Sequence, residues 1–170
     1  MALTLRPFTV ADETEALAAH AELALDGFEF LLETEQARPW PEYVARLAEV
    51  ARGENLAPDR VRATLLVADV DGQVVGRSSI RFALNSWLEN FGGHIGYGVR
   101  PAFRRRGYAT GILRQSLAIC ASEGLDRVLV TCDDDNVASS RTIENCGGVL
   151  DDRRTKPTGE VVRRYWVPTA

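Results

Sequence analysis

The sequence predicts an α/β domain built around a mixed β-sheet with antiparallel arms. Three observations support this. Two segments of helical spacing precede residue 60, short strand-like runs bounded by Gly and Pro begin at Ala63, and two further helical segments interrupt those runs. The resulting order is βαα, βββ, αβα, ββ, which places helices on the faces of one sheet. With 170 residues, 45% of them apolar, the chain is expected to form one domain over residues 1–170 with a full core.

Leu3–Arg6, followed by Pro7, reads as a short strand. Residues 11–25 have helical spacing in Ala16, Leu17, His20, Ala21 and Leu25, and Gly27 ends them. Trp40-Pro41 opens a second helix with Tyr43, Val44, Leu47, Ala48 and Ala51 on one side and Gly53 as its stop. Between the two, Phe28, Phe30, Leu31 and Leu32 show no period and read as packed loop or continued helix. Leu65–Val70 and Gln73–Gly76, the latter extended to Phe82, flank Asp71-Gly72, a pair that supplies the positive φ angles of a hairpin turn. His94–Val99 alternates large and small side chains and stops at Pro101. Gly107–Ala121 is an amphipathic helix closed by Gly124, Arg127–Cys132 an apolar strand, and Val137–Cys146 a short helix. Val149–Thr155 and Glu160–Val167 form a second hairpin across Lys156-Pro157-Thr158-Gly159.

Charge narrows the choice of partner. Residues 1–59 hold twelve acids and four arginines, and residues 60–170 hold twelve acids, fifteen arginines and Lys156, balances of -8 and +4 that sum to -4. Nucleic acid, which wants a broad basic face, is not expected, but the basic half suits a small anion. Cys120, Cys132 and Cys146 form no CxxC pair, so neither a disulfide framework nor a metal is expected. No apolar run is long enough to span a membrane and no leader pattern opens the chain, so a cytoplasmic protein is expected.

Residues 99–110, Val-Arg-Pro-Ala-Phe-Arg-Arg-Arg-Gly-Tyr-Ala-Thr, are the most informative segment. A strand ends, arginines 100, 104, 105 and 106 crowd a loop, and Gly107 opens a helix whose first N–H groups and dipole attract an anion. No Gly-Lys-Ser/Thr follows and no glycine triplet is present, so this is neither a Walker loop nor a dinucleotide fingerprint. On spacing alone, a solvated arginine-rich turn fits as well as a phosphate site.

Arg104-x-x-Gly107-x-Ala109 after Val99-x-Pro101 resembles the acetyl-coenzyme A loop of the GNAT superfamily of N-acetyltransferases. Asn136-Val137-Ala138-Ser139 is similar to that family's next helix entry, and Glu144–Gly148 to its helix-ending motif, with Gly148 in place of an aromatic. The resemblance covers nearly the whole chain, leaving only residues 26–62 and 85–92 unspecified. It implies a GNAT-like domain in which His94–Val99 splays from a parallel neighbour, Val128–Cys132. The resemblance also implies acetyl-CoA as acyl donor. Its pyrophosphate would lie on Arg104, Arg105, Arg106, Gly107, Tyr108, Ala109 and Thr110, and its pantetheine against Tyr97, Val99, Asn136 and Ser139. A Val99 N–H would polarise the thioester carbonyl. The implied acceptor is a small-molecule or peptide primary amine that attacks directly, and a homodimer is a common state of the family.

Two roles are less determined. His94 and Glu89 are the candidate general bases, although His94 also reads as an ordinary strand-end residue. The tyrosine that many relatives carry seven residues after the asparagine is here Ile143, with Ser139 or Ser140 as substitutes for its proton-donating role. A coenzyme A-binding module without turnover is the alternative that Ile143 favours. Asp133-Asp134-Asp135 could steer a cationic amine or simply cap a helix, and Trp40, Trp87 and Tyr43 could line an acceptor pocket or fill the core.

Overall fold

A computed structural model describes residues 2–170. Seven strands form one sheet in the order β1-β2-β3-β4-β5-β7-β6: β1 Leu3–Pro7, β2 Ala63–Val70, β3 Gln73–Arg81, β4 Ile95–Val99, β5 Arg127–Asp133, β6 Val149–Thr155 and β7 Val161–Pro168. Every neighbouring pair is antiparallel except β4 and β5. Helices α1 Glu13–Ala24 and α2 Trp40–Arg52 cover one face, and α3 Tyr108–Ser122 and α4 Val137–Asn145 the other. The β2–β3 turn has positive φ at both Asp71 and Gly72, and Asp69 Oδ1 accepts the Gly72 N–H at 2.8 Å.

The first helix starts two residues later than its pattern suggested, because Val10–Asp12 form a single 3-10 turn in which Asp12 accepts the Thr9 N–H and binds Arg6. The connector between α1 and α2 is packed loop. Phe30 is fully buried, and Arg77 reaches out of β3 to donate to the carbonyls of Glu29, Phe30 and Gly96. Burial pulls the Arg77 guanidinium down to about 9, and the Phe28 ring lies 4.4 Å from it.

Trp40 and Tyr43 belong to the core. Trp40 Nε1 donates to Thr9 O and the Tyr43 hydroxyl to Leu32 O. Trp87 is exposed against Phe91, on the short turn Leu88–Gly92 that leads into β4.

The centre of the sheet is where the architecture departs from regularity. Ile95 and Val130 are the one bridged pair between β4 and β5. Just before it, the His94 N–H donates to Leu129 O at 2.7 Å and the Leu129 N–H to His94 Nδ1 at 2.9 Å. On its other side β4 is fully paired: the Arg81 N–H donates to His94 O and the Arg100 N–H to Val75 O. Antiparallel alternation then turns the backbone groups of Gly96 and Gly98 toward β3, and those of Tyr97 and Val99 toward the gap beside β5.

Arg100 corrects one expectation. Its side chain turns away from the loop and donates to Glu15 and Glu22 of α1 and to Val74 O, clamping the helix to the end of β4. The Arg100→Met variant should lose about 1–2 kcal/mol in urea denaturation at neutral pH, the two carboxylates being partly solvated. The Arg100 guanidinium holds the Glu22 carboxyl below its usual range. That contribution is present above the unfolded value of about 4.3 and lost as pH falls through the depressed one, so the gap between wild type and variant should close in acid.

Candidate active site

The loop after β4 is shaped by its backbone. Pro101–Phe103 make a 3-10 turn, Arg105 adopts φ +61, and Gly107 adopts φ +81 as the N-cap of α3. A left-handed conformation costs a non-glycine residue roughly 1–2 kcal/mol, so Arg105 stores strain and glycine at 107 avoids it. The N–H groups of residues 105–110 meet no backbone acceptor among the described residues. They converge at a helix N-terminus, and the space beside Gly107 is open.

That loop forms one end of a cleft of about 700 Å³. Arg104, Arg105, Gly107, Tyr108, Ala109 and Thr110 line this end. Tyr97, Gly98 and Val99 supply the β4 wall, and Asp133, Asn136, Ser139 and Thr142 the wall from β5 and α4. Leu23, Asp26 and Phe28 close it from the α1 side. Glycine at 98 lets the Phe28 ring lie against β4, since a Cβ would sit 2.6 Å from that ring and displace it.

The structure thus brings ten of the proposed cofactor residues to one cavity: Tyr97, Val99, Arg104, Arg105, Gly107, Tyr108, Ala109, Thr110, Asn136 and Ser139. Arg106 is not on its wall and lies with its guanidinium 5.7 Å from the Phe103 ring. The field is also weaker than four arginines suggest. Arg100 is turned to α1, and Arg104 donates to Asp26 and to Val99 O. Asn136 rather than Asp135 caps α4, its Oδ1 accepting the Ser139 N–H at 3.1 Å. Asp134 is occupied by Arg153 and Arg163.

His94 is placed as part of the sheet. It is buried, its Nδ1 lone pair is filled by the Leu129 N–H, and burial holds it neutral at about 4. His20 is used in the same manner, its Nδ1 accepting the Leu31 N–H. Glu89 is exposed on the turn before β4 and does not line the cleft. Ile143 is fully buried in the core beneath α4 and offers no proton.

Sequence reasoning missed Phe28 and Asp26 as cleft residues, because nothing local marks an aperiodic connector as the cover of a strand some seventy positions away. It also missed the bond between the Tyr97 hydroxyl and Ser139 Oγ at 2.9 Å, which crosses from β4 to α4.

An acetyltransferase (GNAT) domain model matches residues 2–149. The chain belongs to the GNAT acetyltransferase family. The GNAT fold extends to solved structures of low sequence identity. The putative acetyltransferase yncA from Salmonella typhimurium, solved with acetyl-CoA, is 16% identical over 100% of this chain and 95% of its own, with a TM-score of 0.65. RimL, a ribosomal L7/L12 alpha-N-protein acetyltransferase solved with coenzyme A, is 16% identical over 98% of this chain and 93% of its own, with a TM-score of 0.71. Mycobacterium smegmatis RimJ is 21% identical over 98% and 81%, with a TM-score of 0.69. No curated protein sequence matches this GNAT chain. Among the described residues, no helix is long and apolar enough to cross a membrane.

A structural His94 has a measurable signature. The unfolded chain takes up a proton near pH 6.5 and the folded one only near 4, so His94 should destabilise the fold progressively as pH falls through that window. His94→Asn keeps an acceptor for the Leu129 N–H and removes the titration. Its stability deficit, measured by thermal melts, should therefore be largest at pH 7 and narrow toward pH 4.5.

Proposed function

We propose that this protein transfers the acetyl group of acetyl-CoA to a primary amine by direct attack while both are bound. The observation that supports this best is the single cleft joining an anion-accepting loop to an unpaired strand edge. Its open backbone groups and the empty space at Gly107 fit a pyrophosphate followed by a narrow amide-bearing arm. The N–H groups of residues 105–110 would hold the phosphates, aided by Arg105. The backbone of Tyr97 and Val99 would pair with the arm, and the Asn136 and Ser139 side chains would border it. When bound, acetyl-CoA supplies an activated acyl carbon and a thiolate leaving group.

The chain's own contribution is orientation and charge. The N–H groups of Tyr97 and Val99 face the gap, and the one that meets the thioester carbonyl would donate to its oxygen as negative charge develops on it. Val99 O, in the next peptide group, is engaged by Arg104, which anchors the end of β4. Asp133 on the cleft wall would attract a cationic amine, small molecule or peptide, consistent with a relative named as an alpha-N-protein acetyltransferase. His94 is committed to the β4–β5 ladder and Glu89 is outside the cleft, so in this reading the amine loses its proton to solvent before attack. A cytoplasmic location belongs to the same proposal.

The buried Ile143 favours a second reading, a coenzyme A sensor without turnover. Acetyl-CoA at millimolar concentration should raise the melting temperature under either reading. Release of free thiol with a panel of amines separates them: release supports the transferase, and binding without release from any amine leaves the sensor.

Gly107→Glu should abolish acetyl-CoA binding, since its carboxylate enters the anion site. Gly107→Ala bears the same φ strain of about 1 kcal/mol without the charge, and should retain binding within tenfold. Equal binding by wild type and Gly107→Glu, measured by calorimetry, would remove the phosphate assignment.

A further inference from the structure

We propose that Arg81 selects acceptors that carry a carboxylate close to the amine, as amino acids do. The inference rests on the acetyltransferase reading and deepens it by naming the substrate class.

Alternation along β3 sends the side chains of Arg77, Ser79 and Arg81 to one face of the sheet, the face on which Arg77 meets the connector. Gly96 and Gly98 of β4 share that face and bring no side chain to fill it. Phe28 covers Gly98, but Gly96 is half-buried and lacks such a cover. Apart from adjoining residues, a Cβ on Gly96 would have two atoms within 4 Å, Arg81 Nη1 at 3.1 Å and Arg77 Nη1 at 3.6 Å. Both guanidinium groups thus stand over bare strand, one residue from Tyr97 on the cleft wall.

The two arginines are used differently. Arg77 donates through Nε, Nη1 and Nη2 to Phe30 O, Gly96 O and Glu29 O at 3.1, 2.9 and 2.7 Å, so each nitrogen is occupied in holding the connector. Arg81 makes only long contacts, Nη1 with Ser79 O at 3.5 Å and Ser79 Oγ at 3.3 Å, and Nη2 with Gly92 O at 3.3 Å. Its Nε and one Nη2 hydrogen have no acceptor among the described residues. No fully buried side-chain nitrogen among those residues lacks a partner, so this Nε is open to solvent.

Charge points the same way. Glu29 attracts Arg77 but not Arg81, and Glu33 is paired with Arg46 and Arg60. Burial pulls Arg81 down to about 10 with no acid to oppose it. A cation kept from water without a counterion is costly, and an arriving anion offsets that cost. Elsewhere in this chain Nε and Nη2 act together, gripping Glu22 from Arg100 and Glu54 from Arg52. The free hydrogens of Arg81 are on those two nitrogens, which suits the two oxygens of a carboxylate.

Position sets how far that carboxylate lies from the amine. Gly96 and Tyr97 are one strand step apart, roughly 3.4 Å. An amine attacking in the gap beside Tyr97 would lie only a few bonds from a group held over Gly96, which is the separation found in an amino acid. Asp133 would favour the ammonium end and Arg81 the carboxylate end. The exposed Trp87 ring offers an apolar wall, since Trp87 Cδ1 and Arg81 Nη2 lie 3.7 and 3.4 Å from one point beside Gly92. Arg81 touches no reacting atom in this arrangement and acts on specificity.

Such a carboxylate has two sources, a free amino acid or an Asp or Glu at the start of a peptide. Calorimetry on protein saturated with coenzyme A separates them without turnover. One set of probes is the common amino acids, each with its primary amide. The other is C-terminally amidated tripeptides beginning with Asp or Glu, each with its Asn or Gln counterpart. In at least one set, wild type should bind the best acid about tenfold tighter than its neutral counterpart. Arg81→Gln should erase that preference while binding the neutral probe within about threefold of wild type. Arg81→Lys, which keeps the charge but loses the paired donors, should retain only part of it. With acetyl-CoA and the best acid, Arg81→Gln should lose activity mainly through a raised KM rather than kcat.

A preference confined to the first set assigns free amino acids, and one confined to the second assigns peptide N-termini. No preference for acids in either set overturns the proposal. Equal weakening of acid and neutral probes in Arg81→Gln also overturns it, because that is the effect of losing a brace between Ser79 and Gly92. Should Arg81→Gln not fold, an undiminished preference in Arg81→Lys overturns it instead. Wild type that fails to bind coenzyme A or acetyl-CoA removes the acetyltransferase reading itself, whereas cofactor binding without acid preference leaves that reading standing.

Discussion

β4 and β5 run side by side as parallel strands, yet they pair only at Ile95 and Val130 before parting. The opening has a cost, because strand N–H and C=O groups left without partners lose hydrogen-bond energy unless water or a ligand satisfies them. His94 sets where the opening begins. By accepting the Leu129 N–H on its ring, it replaces a backbone carbonyl in the ladder and closes the sheet on one side of the bridge. On the other side the edge at Tyr97 and Val99 is exposed, and the cleft exists because of it.

The surrounding elements hold this geometry from both faces. On one face Arg100 ties α1 to the end of β4 through Glu15 and Glu22, and Arg77 ties the connector to Gly96. On the other, α3 packs Ile112 and Leu113 against the sheet, and α4 is fastened through Ile143 below and Tyr97–Ser139 at the cleft wall. The arginines that dominate the sequence around residue 100 are divided between these tasks. Arg100 and Arg104 position backbone through carboxylate partners, so in the proposed reading the anion falls to the N–H groups and Arg105. Backbone donors are the better choice for a phosphate at this point, since they are already oriented and lose no side-chain entropy on binding.

The same division explains where chemistry can come from. A neutral, buried imidazole with its lone pair filled is a poor proton acceptor, and a buried isoleucine is no proton donor. What the cleft offers instead is preorganised polarity: amides at one end, a strand edge along one wall, and the bonded hydroxyls of Tyr97 and Ser139 among its lining. Such groups act by stabilising charge as it develops, which is the larger share of many catalysed reactions.

Much of this was determined by the sequence alone, wherever the controlling interaction is local. The Asp71-Gly72 hairpin, the helix opened by Gly107 and the entry at Asn136 each depend on residues within a few positions of one another, so their residue types are diagnostic. The partners of long side chains and of aperiodic segments were decided by tertiary structure. Arg100 finds acids that precede it by more than seventy residues, and Phe28 covers Gly98. His94 reads as a candidate base until Leu129, from a strand formed by distant sequence, occupies its nitrogen. Hydrogen bonds and packing of that range depend on which strands become neighbours. Spacing along the chain has no record of that choice, because it is made by burial of the whole sheet at once.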